Sequence, residues 1–105
     1  MNIGSKMIAD ERTRQIEQEG YDEQHDQRYL SGELPIAAAC YAVEGNEGVF
    51  VSNGMGEDED AWPWGTDFDK RKKHNRLKRL VIAGALIAAE IDRILAEKIK
   101  DENDG

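Results

Sequence analysis

One cysteine, two prolines and two histidines stand among 105 residues, and each scarcity closes a route. A lone cysteine cannot form an internal disulfide. Set among Ala37, Ala38, Ala39, Tyr41 and Ala42, Cys40 is expected as a small buried hydrophobe on a helix. Together with His25 and His74 it lacks the ligand spacing of a zinc site, and no motif calls for a metal or a cofactor. The longest apolar run, Leu80 to Ala89, is far too short to cross a bilayer, and no basic and apolar opening segment reads as a signal peptide. The expectation is a cytoplasmic, soluble protein with no membrane partner.

At this length one core can form but not two, so residues 1–105 are expected to make a single domain. Hydrophobic residues are 39% of the chain and charged ones 34%, which leaves a thin core and makes a homo-oligomer a natural way to bury more surface. The formal charge of −8 is unevenly spread. Residues 1–69 hold sixteen acidic and four basic side chains, whereas residues 70–105 hold six acidic and ten basic ones. Lys70, Arg71, Lys72, Lys73, Arg76, Lys78 and Arg79 share one ten-residue window with His74 and no acid, a local attractor for anions on an acidic protein. Binding to nucleic acid itself is disfavoured, because the acidic remainder repels a polyanion.

The pattern predicts a mainly α protein: a three-helix domain with a long, ordered, glycine- and acid-rich loop between helices two and three. The first helix is expected from Ser5, a capping residue, to Gly20, a terminating one. Met7, Ile8 and Ile16 are its apolar positions, with Glu11, Arg12, Gln15 and Glu19 interleaved. Either that face is solvated and laced with pairs such as Glu11 with Gln15, or Arg12 and Gln15 point into a shared cleft. Residues 21–32, without a sustained period, read as a structured loop holding His25, Asp26 and Arg28. Ser31 can cap the second helix and Pro35 fits its first turn. Leu34, Ala37, Ala38, Tyr41 and Ala42 then repeat at buried-face spacing before Gly45 ends it.

Between Gly45 and Asn75 only Val49, Phe50 and Val51 suggest a strand or tether. Glu57 to Asp60 reads as a solvated tip, because adjacent acids repel. Trp62-Pro63-Trp64 cannot usefully hang in water and is expected to be pinned on the helices or to line a pocket. The last helix is expected from Asn75 to about Lys100. Leu77, Leu80, Val81, Gly84, Ile87, Ala88, Ile91, Ile94 and Leu95 form its apolar stripe, and Ile82, Ala83, Ala85, Leu86 and Ala89 extend that stripe almost all round, as in a central helix or one meeting a second protomer. Glu90 interrupts it, with Arg93 three residues on as an ion-pair partner.

Glu11-Arg12, Gln15-Ile16, Glu19-Gly20-Tyr21, His25-Asp26, Gly32-Glu33-Leu34, Ala37 to Ala42, Trp62-Pro63-Trp64, Leu80-Val81, Ala83 to Ile87 and Ala89-Glu90-Ile91 together resemble a family of short phage and prophage proteins. The resemblance covers most of the chain except the acidic stretch from Gly45 to Asp60, and it implies a viral or prophage origin more than an activity. Three functions are open. A binding module would sequester a phosphorylated small molecule, a nucleotide-derived signal, as an anti-defence device, using Arg12, Gln15, His25, Trp62, Trp64, Arg76 and Arg79. A magnesium-dependent enzyme would resemble the all-α nucleoside triphosphate pyrophosphohydrolases, but no clean pair of carboxylates three apart lies on a helix. Only Glu11, Glu33 and Glu90 could assemble across helices. An acidic inhibitor would use Glu57 to Asp60 to occupy the basic cleft of a host nucleic-acid-binding protein.

Overall fold

The structure is a computed structural model that describes residues 2–20, 32–43, 49–52, 54–65 and 69–104. Within them lie α1 (Ile3–Glu19), α2 (Glu33–Ala42), β1 (Phe50–Ser52), β2 (Asp58–Asp60), a 3-10 turn (Arg71–Lys73) and α3 (Arg76–Asp104). Among the described residues the fold is mainly helical, with three α-helices, as the pattern predicts. α3 is its spine, and both α1 and α2 pack along it. None of the described helices is long and apolar enough to cross a membrane.

Local chemistry sets most of the boundaries. Asn75 caps α3, its Oδ1 accepting a 2.9 Å hydrogen bond from the Lys78 amide, which satisfies a donor that has no carbonyl partner in the first turn. Asn75→Ala is expected to cost about 1 kcal/mol, lowering the melting temperature by roughly 4–8 °C. α3 runs four residues beyond Lys100. Gly20, at φ 73°, ends α1 by donating its N–H to the Gln15 carbonyl, a left-handed geometry that a side chain would strain. Ser5 does not cap α1. The helix begins two residues earlier, after Asn2, which makes no side-chain cap bond. α2 starts after Gly32 at φ 84°, while Ser31, Gly45 and the loop carrying His25, Asp26 and Arg28 lie outside the described residues.

The core joins Leu34, Ala37, Ala38 and Tyr41 of α2 to Ile82, Ala83, Leu86 and Ala89 of α3. Small side chains on both helices let the backbones approach closely, and Cys40 is fully buried beside them. Here the structure departs from the expected stripe of α3. The buried face is Val81, Ile82, Ala83, Ala85, Leu86 and Ala89, whereas Leu77, Leu80, Ile87, Ile91, Ile94 and Leu95 are exposed. A helix apolar all round offers two faces, and the alanine-rich one accepts α2.

α1 is equally contrary. Glu11, Arg12 and Gln15 are buried, while Ile16, an expected packing residue, is exposed. β1 and β2 form an antiparallel hairpin with Phe50 opposite Asp60, Val51 opposite Glu59 and Ser52 opposite Asp58. The acidic run is therefore exposed but ordered into a strand, not a bare tip.

Candidate functional site

Two polar clusters flank α3. The first lies between α1 and α3 around Glu11, whose carboxylate is 1% exposed. Arg14 grips it in a fork, Nη2 to Oε2 at 2.8 Å and Nε to Oε1 at 2.9 Å. From α3, Lys78 Nζ donates to Oε1 at 3.0 Å, and Gln15 Nε2 donates to Oε2 at 3.2 Å. Burial alone would raise the carboxyl pKa. The hydrogen bonds and charges of Arg14 and Lys78 outweigh that and take it from 4.5 down to about 2. About four turns further along α3, Asp92 lies 3.5 Å from the Arg12 guanidinium. Arg12 and Gln15, both expected at a ligand, are thus buried in the α1–α3 seam. Gln15 Oε1 accepts no hydrogen bond among the described residues.

The second cluster surrounds the C-terminal end of α2. The hairpin delivers its aromatics: the Ala61 amide donates to the Val49 carbonyl at 2.7 Å, and the Trp62 amide donates to Asp60 Oδ1 at 3.0 Å, an Asx-type turn that aims the indole at the helices. Trp62 meets Tyr41 edge-on at 5.7 Å and Trp64 at 5.5 Å with planes 89° apart, the arrangement that the ring quadrupoles prefer. Both indoles are half-buried against the core, so the expected pinning of Trp62-Pro63-Trp64 is observed. Trp62 Nε1 donates to the Gly65 carbonyl.

Arg71 lies over the Trp62 ring, 5.1 Å from its centroid, a cation–π contact. Its guanidinium also holds Asp69 in a fork at 2.6 and 2.8 Å and Asp60 at 3.0 Å. These hydrogen bonds push both carboxyl pKa values below the usual range and raise that of Arg71. Asp69 has no role in the sequence pattern, and Asp60 figures there only as the end of the acidic run from Glu57. The Asp-x-Arg spacing of Asp69 and Arg71 was the one available signal.

Arg76 and Arg79, placed by sequence among the phosphate contacts, turn inward. Arg76 Nη1 donates to the Ala42 carbonyl, and Arg79 Nη2 donates to the Cys40 carbonyl at 3.1 Å. They satisfy the carbonyls that a helix end leaves open and offset its negative dipole. The side chains of Lys70, Lys72 and Lys73, all exposed, make no hydrogen bond or ion pair among the described residues. His74, half-buried beside them, has its pKa lowered by burial first and by Lys78, Lys73 and Arg14, which favours the neutral imidazole. Burial raises the Cys40 thiol pKa, which leaves it a poor nucleophile.

The carboxylates do not converge. Glu11 is held by Arg14 and Lys78, and Glu90 is paired with Arg93, as its spacing suggested. Among the described residues no three His, Cys, Asp or Glu groups could share a metal ion. Of the seven expected ligand residues, Trp62, Trp64, Arg76 and Arg79 meet at the end of α2, Arg12 and Gln15 lie in the α1–α3 seam, and His25 falls outside the described residues. Compared with known protein families, curated proteins and solved structures, the chain matches none.

Proposed function

We propose that the chain is a binding module for a phosphorylated small molecule of the nucleotide class, seated at the Trp62–Trp64 platform. One observation carries the reading: two half-buried, mutually perpendicular indoles sit against a turn whose Lys72 and Lys73 side chains are exposed and make no hydrogen bond or ion pair among the described residues. Flat π faces hold a base, and lysines attract phosphate as point charges. The phosphate-facing role passes from Arg76 and Arg79, engaged with α2 carbonyls, to Lys72 and Lys73. Arg71 braces the Trp62 ring from one side and the hairpin through Asp60. On the resemblance to short phage proteins, such a module would act in the host cytoplasm by sequestering a nucleotide-derived signal used in defence.

The pyrophosphohydrolase reading has less support, since a hard divalent cation needs several free oxygens on one face and Glu11 and Glu90 are each tied to cations. The acidic-inhibitor reading keeps exposed Asp58 and Glu59, but Arg71 already neutralises Asp60.

Thermal unfolding against mono-, di-, cyclic and ADP-ribose-type nucleotides, with and without magnesium, separates the three. A ligand at ten times its Kd adds about 1.4 kcal/mol, or roughly 6–11 °C for a domain of this size. That shift without magnesium and without product is the expected outcome for one nucleotide class. Magnesium-dependent product release would instead support the hydrolase, and no shift with any nucleotide would point to a macromolecular partner.

A further inference from the structure

We infer that two copies of this chain pair antiparallel along the outer face of α3. Leu80, Ile87, Ile91 and Ile94 follow one another at spacings of seven, four and three, flanked by Leu77, Leu95 and Ile99, and all seven are 40–59% exposed. Those intervals keep one stripe in line along a helix that meets another over several turns. α1 and α2 occupy the other sides of α3, through Gly84 and the alanine-rich face respectively.

Two observations identify a second copy as the occupant. The first is size. At about half exposure, seven Leu and Ile side chains offer on the order of 600 Å² per copy, and the pair reaches about 1,200 Å², where stable interfaces begin. The second is charge. Residues 70–79 carry seven cations and no acid, whereas residues 90–104 carry six acids and three cations. Antiparallel pairing sets each basic end beside the partner's acidic end, and parallel pairing would set like ends together.

The centre of this stripe is Ile87, midway between Leu80 and Ile94, so a two-fold axis there brings each Ile87 against its counterpart. Leu80 of one copy then faces Ile94 of the other. Neither apolar pairing uses the Trp62–Trp64 platform, and replacing Ile87 and Ile91 leaves Lys72 and Lys73 in place, so loss of the dimer and loss of nucleotide binding can be told apart.

Sedimentation equilibrium of the full chain is expected to give twice the monomer mass at micromolar concentration. Ile87→Glu with Ile91→Glu is expected to return the monomer mass with an unchanged helical circular dichroism spectrum, because both side chains are half-exposed in the single copy. In a Cys40→Ser background, Ile87→Cys is expected to cross-link to itself on mild oxidation. Leu80→Cys is expected to cross-link only when mixed with Ile94→Cys. A wild-type chain that stays monomeric, a dimer that survives the double glutamate variant, or self-cross-linking of Leu80→Cys would each overturn the proposal.

Discussion

Replacing both cations that face Glu11, Arg14→Met with Lys78→Met, is expected to destabilise the fold by about 3–5 kcal/mol, a large part of the total for any domain of this size. The reason lies in the exposures. Glu11 is 1% exposed, while Arg14 and Lys78 are 37% and 41% exposed. Taking the cations away strands a charge out of reach of water. Taking the acid away, as in Glu11→Gln, leaves two cations that water can solvate, and is expected to cost only about 1–2 kcal/mol. Urea unfolding of the wild type and the two variants at pH 7 measures this asymmetry, and equal losses would contradict it.

The pH profile supplies an independent sign. In the wild type the Glu11 pKa is depressed to about 2, so its contribution is complete above the unfolded value of 4.5. That contribution is lost as pH falls from 4.5 towards 2. Without Arg14 and Lys78 no cation faces the carboxylate and only the neutral Gln15 amide still donates to it, so burial, which raises the pKa, prevails. The double variant is therefore expected to gain stability as pH falls from neutral towards 5, where the wild type is flat.

Gly84→Leu is expected to cost about 2 kcal/mol. A Cβ at Gly84 would lie 2.5 Å from Ile8 Cδ1, 2.8 Å from Cγ1 and 3.2 Å from Cγ2, so the whole branched end of Ile8 stands in its way. Removing a helical glycine returns about 1 kcal/mol of backbone propensity, but forcing a larger group into the crossing costs about 1–3 kcal/mol, and Leu adds three carbons beyond the Cβ. Adding Ile8→Ala opens that space and is expected to recover at least half of the loss. Strict additivity of the two substitutions in denaturant unfolding would show that α1 does not cross α3 at this point.

Much of this fold is legible locally. Asn75 announces the start of α3, Gly20 the end of α1, and Leu34, Ala37, Ala38 and Tyr41 the packed face of α2. The face of α3 is not legible in that way. Ile82 and Leu86 are no more apolar than Ile87 and Ile91, and only the alanines at 83, 85 and 89, which permit close approach, decide which side meets α2. Nor does α1 advertise its buried polar face, because Lys78 and Asp92 neutralise it from a helix more than sixty residues away in the chain.

The candidate site divides along the same line. Trp62-Pro63-Trp64 is conspicuous, since two large rings around a stiff residue must be packed against something. Arg71 gave no sign of its fork with Asp69 and Asp60 beyond one Asp-x-Arg spacing, because those acids lie in a stretch without periodicity. Arg76 and Arg79 read from sequence as loose cations. That the end of α2 lies within their reach is a fact of tertiary packing alone.

The chain has two tryptophans, Trp62 and Trp64, so tryptophan emission, excited at the red edge where tyrosine does not absorb, reports on the platform. The most direct measurement is titration of that emission with the nucleotide giving the largest thermal shift, on the wild type and on Lys72→Glu with Lys73→Glu. A saturable change in the wild type that weakens at least tenfold in the charge-reversed chain is expected. Emission that no nucleotide alters up to millimolar concentration, or a titration indifferent to both lysines, would contradict a phosphate-and-base site at this end of α2.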